Sequence, residues 1–223
     1  QGIDYIFYPC IPYERTEVED ANNHYNCPIV TSYGENIKNN IEELRDDKIT
    51  YQNPFLSLES EAIATKRLVE YFTEENGIPA DEIRHAAAAA WKEMQAVRTE
   101  MGQKGEEVLQ YLKETGRRGI VLAGRPYHTD PEINHGIHEL ISRLGAIVLS
   151  EDAVRPHDGK LDTNVRNQWT YHARLYNAAK FVANAPDDLD IHLVQLVSFG
   201  CGVDAVTTDE VRSIVENSGR LYA

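Results

Sequence analysis

The sequence predicts an α/β fold, Rossmann-like parallel-sheet lobes joined by a long helical connection, and three observations carry the prediction. From residue 119 onward, short apolar runs alternate with helical stretches, at 119–123, 131–144, 146–149, 170–183, 191–199 and 207–217. That alternation implies parallel strands with crossover helices. Between 60 and 115, apolar residues recur at helical spacing and are joined by an alanine series. At the other end, the apolar, aromatic run 3–9 reads as a strand. The expected division is 1–58 as the N-terminal part of a Rossmann-like lobe, 59–115 as the helical connection and 116–223 as a C-terminal α/β lobe.

Each element has a local reason. The first strand should stop at Cys10, because Pro9 and Pro12 flank it and neither can donate to a sheet. After a polar segment, 27–30 reads as a second strand start with its own cysteine. A helix over 32–44 is opened by Ser32, with Glu35 completing a capping box. Asn53 and Pro54 mark a loop. The next helical pattern begins at Ser60 and stops at Asn76 and Gly77. A further helix starts after Pro79 with Asp81 and Glu82 at its positive end and runs to about Thr115. Gly102 and Gly105 are expected to kink or divide it, each costing about 1 kcal/mol relative to alanine. The short runs 120–123 and 147–149 suit central strands covered on both faces. A last helix is expected to start at Thr207, with Glu210 three positions on.

Composition narrows the class. A chain of 223 residues can bury a substantial core. Its net charge of −14 and the absence of a basic patch argue against a nucleic-acid or anionic-membrane partner. No apolar stretch approaches the roughly 20 residues needed to cross a bilayer, and no secretory signal is evident. The reading is a cytoplasmic protein with reduced thiols, since an odd count of three cysteines does not suit a secreted disulfide framework. Residues 1–9 already read as a strand with no methionine ahead of them, as if cut from a longer protein. There is no GxxxxGK[ST] loop, and Gly124 lacks the further glycines of a dinucleotide fingerprint.

In open parallel sheets ligands gather at the carboxyl ends of the strands, and there the unusual residues lie. Cys10 follows the first strand, Gly124–His128 another, and Gly200–Gly202 the last. By spacing alone the cysteines read as ordinary buried thiols, with no compact pair among them. Local context favours a cluster: Cys10 and Cys27 each adjoin proline, Cys201 lies between glycines, and glycine allows a bulky group to approach. Three thiolates would leave one iron of a four-iron cluster open.

In the tract 124–136, Arg125, Tyr127, His128 and His135 can bind a substrate phosphate or carboxylate, with His128 able to donate a proton. Equally, Asp130 and Asn134 can cap a helix over which Tyr127 packs. Asn23 and His24, in the run before Cys27, suit either a pocket lining or plain turn chemistry. His24 is the second candidate for proton transfer. His85 and His172 read as helix-surface residues, and Trp91 and Trp169 as packing residues.

Three strings, FYPCIPYERTEVEDANNHYNCPIVTSY, GIVLAGRPYHTDPEINHGI and SFGCGVDAVTTDEVR, resemble motifs of the CoA-enzyme activase-related family. In that family ATPase activator domains are fused to a region similar to the 2-hydroxyacyl-CoA dehydratase subunits. The resemblance implies a fragment of the dehydratase-like region, with Cys10, Cys27 and Cys201 holding a 4Fe-4S cluster, or part of a larger one, between Rossmann-like lobes. Such a cluster can be missing from an aerobic preparation. It further implies low-potential electrons arriving from ATPase activator domains of the same longer protein and passing to an acyl-CoA or another small substrate, as in a dehydratase-like or reductase-like enzyme. The open alternatives are a reductase module acting on a non-CoA substrate and a cluster-free module for small anions or docking.

Overall fold

The computed structural model describes residues 2–44, 49–154, 161–198 and 200–223. The fold is mixed α/β; among the described residues the four pairings between strands are parallel, with one isolated antiparallel bridge between Tyr13 and Tyr25, and the chain divides into two units. Unit 1 comprises Gln1–Thr16 and Asn23–Met94; unit 2 comprises Glu17–Asn22 and Gln95–Ala223.

In unit 1, β1 (Tyr5–Phe7) pairs with β3 (Thr50–Gln52), and β2 (Cys10–Tyr13) pairs with β4 (Phe55–Ser57). Pro9 does not end the pairing. The amides of Tyr8 and Cys10, on either side of it, donate to Gln52 and Pro54 at 2.8 and 2.9 Å, so Pro9 occupies a position where no donor is required. Cys10 therefore opens a strand instead of closing one, and Pro12 falls where the register of β2 against β4 shifts.

The stretch expected as a strand at 27–30 is helical. Pro28 sets the first turn of α1 (Pro28–Asn40), its missing N–H being one that no helix needs there, and Cys27 is the N-cap. The helix accordingly starts four residues before Ser32 and ends before 44. Helix α2 (Glu61–Asn76) follows its sequence signals: the Ser60 hydroxyl accepts from the Ile63 amide at 3.3 Å, and Gly77 closes the helix at φ 67°.

Helix α3 (Ala80–Thr115) runs unbroken through both glycines. At Gly105 the reason is contact. A Cβ there would lie 1.7 Å from the carbonyl oxygen of Ala153, so only glycine lets that backbone come so close. Gly102 has open space around it.

The sheet of unit 2 has the order β6–β5–β7, formed by Ile147–Ser150, Gly119–Ala123 and Ile191–Gln195. Val121, Ile191, Leu193, Leu149, Leu175, Val182, Val211 and Val215 make its core, each buried side chain of this size worth roughly 1.5–3 kcal/mol. Helices α6 (Thr170–Ala183) and α7 (Gly202–Glu216) pack on each other, and α6 packs on β5 and β7. The helix expected over 131–144 is two, α4 (Pro131–Asn134) and α5 (Ile137–Arg143), because His135 and Gly136 are both left-handed, at φ 53° and 76°. Strand β7 ends at Gln195, and Phe199, which the sequence reading joined to it, lies outside the described residues, as does Gln1.

Candidate functional site

The carboxyl edge of the unit 2 sheet is organised by one buried ion pair. Arg125, the second residue after β5, is 5% exposed. Its Nε and Nη2 donate to Asp204 Oδ1 at 3.1 and 2.8 Å, and Nη2 also donates to Cys201 Sγ at 3.0 Å. The other carboxylate oxygen, Oδ2, accepts the Ser198 amide at 2.7 Å. His172 Nε2 lies 3.4 Å from Oδ1. Burial pushes the Asp204 carboxyl up, but the nearby His172 ring and the hydrogen bonds from the Ser198 amide and Arg125 outweigh it and hold the group far below the usual carboxylate range. Arg125 is thus committed to an internal carboxylate, and the loop after β5 is fastened to the first turn of α7.

Cys201 is the N-cap of α7 and is half-buried. The helix starts five residues before Thr207, which instead bonds its hydroxyl to the Val203 carbonyl at 2.9 Å, deep within the helix. Glu210 likewise caps nothing: it is buried and accepts from the Asn164 amide at 2.9 Å.

His128 closes a short 3-10 turn, Pro126–Thr129, and its Nδ1 accepts the Arg125 amide at 2.9 Å. Burial lowers its pKa, Asp204 raises it, and Arg125 lowers it, with a net downward shift. Tyr127 stacks edge-on to His128 at 4.6 Å and bonds its hydroxyl to that of Ser198. Asp130 caps α4 through the Glu132 and Ile133 amides, at 2.9 and 3.2 Å. His135 is exposed at the C-terminal end of α4, and Asn134 Oδ1 accepts the Gly136 amide at 2.9 Å.

Two residues of this edge were missed by the sequence reading. His172 is 3% exposed, not a surface residue, and Asp204 is the anchor of the whole group. The signal for His172 was its helix: α6 carries Ala173, Leu175, Tyr176, Ala178, Ala179 and Val182 around it, too apolar for a solvated face.

In unit 1 the geometry is different. Cys27 is half-buried, and its amide donates to Asn26 Oδ1 at 2.8 Å, while Asn26 is itself buried. Asn23 Oδ1 accepts the neighbouring His24 amide at 2.8 Å, which is turn chemistry. His24 Nδ1 is 3.4 Å from Thr16 Oγ1, its Nε2 is 3.9 Å from Glu59, and its ring stands 6.0 Å from that of Tyr13. Cys10 is 1% exposed, with Gly34 so close that a Cβ there would meet its sulfur at 3.0 Å.

The donor set can be weighed against an iron–sulfur group residue by residue. All three cysteines are free thiols. Cys27 and Cys201 fit: both are partly exposed and stand at the starts of long helices, where unpaired amides favour anionic sulfur ligands. Cys10 fits less directly, since its sulfur is enclosed within unit 1. Among the described residues, no group of three or more His, Cys, Asp or Glu side chains is gathered as a metal site.

The carboxyl edge of this parallel α/β sheet thus carries a thiol, a buried guanidinium and a positioned imidazole, at the place where ligands gather in open parallel sheets. The model of the family described as "CoA enzyme activase uncharacterised domain" matches residues 1–154, and the chain belongs to that family. The match includes Cys10, Cys27 and the tract from Arg125 to His135; Cys201 and Asp204 lie beyond it. No curated protein and no solved structure matches the chain. Among the described residues, no helix is long and apolar enough to cross a membrane.

Proposed function

We propose that this chain is an iron–sulfur redox module of an ATP-dependent activator and dehydratase-like system, working in the cytoplasm with Cys10, Cys27 and Cys201 as its thiolate ligands. The observation that carries the reading is the guanidinium N–H of Arg125 held 3.0 Å from Cys201 Sγ by a buried carboxylate. A donor fixed on a ligand sulfur is how a protein sets the electronics of a thiolate-bound cluster, and the Asp204 anchor keeps that donor in place. When bound, the cluster would supply single electrons at low potential. The chain's own part is to hold sulfur at the start of a helix and to keep the neighbouring charge balanced.

Family membership supports substrates and partners connected with CoA enzymes. In this reading ATPase activator domains of a longer protein deliver the electron, and an acyl-CoA or another small substrate receives it. Tyr127, His128 and His135 are the proposed substrate contacts in unit 2, with Arg125 positioning them from its pair with Asp204, and Asn23 is a separate candidate in unit 1. His128 and His24 are the candidates for proton transfer.

Anaerobic reconstitution with iron and sulfide tests the reading. Expected are iron uptake, a cluster absorption band and an electron paramagnetic resonance signal on reduction, each reduced in single Cys→Ser variants and abolished when all three are replaced. Unchanged iron binding in the triple variant would end the proposal. A ratio above four irons per chain would point to a larger cluster completed by ligands from elsewhere.

A further inference from the structure

We infer that His128 is a hydrogen-bond donor presented at the carboxyl edge of the unit 2 sheet, a neutral imidazole with its proton on Nε2, suited to the carbonyl oxygen of an acyl thioester. The inference rests on the CoA-related family membership, not on the cluster.

The argument begins with the ring's inner nitrogen. Nδ1 lies 2.9 Å from the Arg125 backbone nitrogen, which can only donate. Nδ1 must therefore be the acceptor, and a neutral imidazole then carries its proton on Nε2. The ring is held in that orientation on several sides. A Cβ on Gly124 would lie 2.5 Å from Nδ1, so the glycine is what lets the imidazole seat against the strand end. The edge-on Tyr127 ring, tied through its hydroxyl to Ser198, stands on another side at 4.6 Å.

Nε2 has no hydrogen-bond partner among the described residues, and it is not one of the buried unpartnered atoms. It stands at the end of the sheet where ligands gather.

Charge selects the acceptor. The charged groups acting on the ring are Arg125 and Asp204, and they are paired with each other at 2.8 Å. The edge thus has little surplus positive charge for an oxyanion. Protonating the ring would turn Nδ1 into a second donor facing the Arg125 amide. A neutral donor matches an uncharged carbonyl oxygen, and a thioester carbonyl is the acceptor that CoA-related chemistry brings.

Two substitutions separate this role from a structural one. His128→Asn keeps an acceptor for the Arg125 amide and removes the outward donor; His128→Gln keeps an outward N–H and loses the inner acceptor. The probes are acetyl-CoA and free CoA, titrated into the iron-free chain, with the ring nitrogens followed by 15N NMR. Expected at pH 7 are an unprotonated Nδ1, a protonated Nε2 and a shift of Nε2 on adding acetyl-CoA but not CoA. One hydrogen bond is worth about 0.5–1.5 kcal/mol, so His128→Asn should weaken acetyl-CoA binding up to about tenfold while His128→Gln changes it little. A proton on Nδ1, the opposite order of the two variants, or acetyl-CoA binding no better than CoA would overturn the inference. Because no iron is present, these results do not depend on whether the chain takes up a cluster.

Discussion

Cys27 and Cys201 occupy the same local position in two different units, each the N-cap residue of a long helix, yet they are held by different means. Around Cys27 the support is short-range: Asn26 turns back onto the Cys27 amide, Pro28 sets the helix, and the Pro12 carbonyl accepts the Asn26 amide at 2.9 Å. Around Cys201 it is long-range. The sulfur meets an arginine 76 positions earlier in the chain, which is anchored by a carboxylate on the first turn of α7 and neighboured by a histidine from α6. The first arrangement depends on turn chemistry and tolerates polar substitution; the second depends on a buried charge pair and does not.

The largest test of that difference is Asp204→Ala. It leaves Arg125 buried without its partner, which typically costs about 3–5 kcal/mol, whereas Asn23→Ala should cost well under 1 kcal/mol. Urea denaturation of both variants measures the contrast, and equal midpoints would break it. The same pair predicts the acid limb. Because the Asp204 carboxyl is held below its unfolded value near 3.9, its contribution is present at neutral pH and is lost progressively as pH falls below that value. The acid transition of Asp204→Asn should therefore be shallower than that of the parent chain.

A smaller effect separates the two glycines of α3. Gly105→Ala drives a methyl into the Ala153 carbonyl and should destabilise by about 1–3 kcal/mol, while Gly102→Ala should stabilise by up to about 1 kcal/mol. Thermal melts with shifts of the same sign would refute the contact account. Ser60→Ala in unit 1 should cost about 1 kcal/mol from the lost N-cap of α2, read as a lowered urea midpoint, with iron uptake unchanged.

How far the sequence could be read depended on the range of the interaction. The start and stop of α2 were legible because Ser60 and Gly77 act within one turn. The unit 2 strands were legible as short apolar runs, most clearly in β5, while β7 carries His192 and Gln195 among its apolar residues. Misreadings arose where two signals competed. At 27–30 the β-branched pair Ile29 and Val30 suggested a strand, but Pro28 at the first helical position prevailed. At Pro9 the missing donor suggested a stop, but the register had no use for a donor there. The glycines of α3 suggested a break, but one of them serves a contact with Ala153, 48 positions later.

At the candidate site, the sequence alone determined which residue types follow the unit 2 strands, an arginine and imidazoles after β5 and a thiol after β7, at the edge that parallel strands leave open. Only the tertiary structure decided their state. It set the Arg125 charge against Asp204, gave Cys201 a guanidinium donor, drew His172 into the interior and turned His128 Nδ1 toward the Arg125 amide. Those outcomes depend on which groups face each other across many turns of chain in a low-dielectric interior, and local pattern carries no information about that.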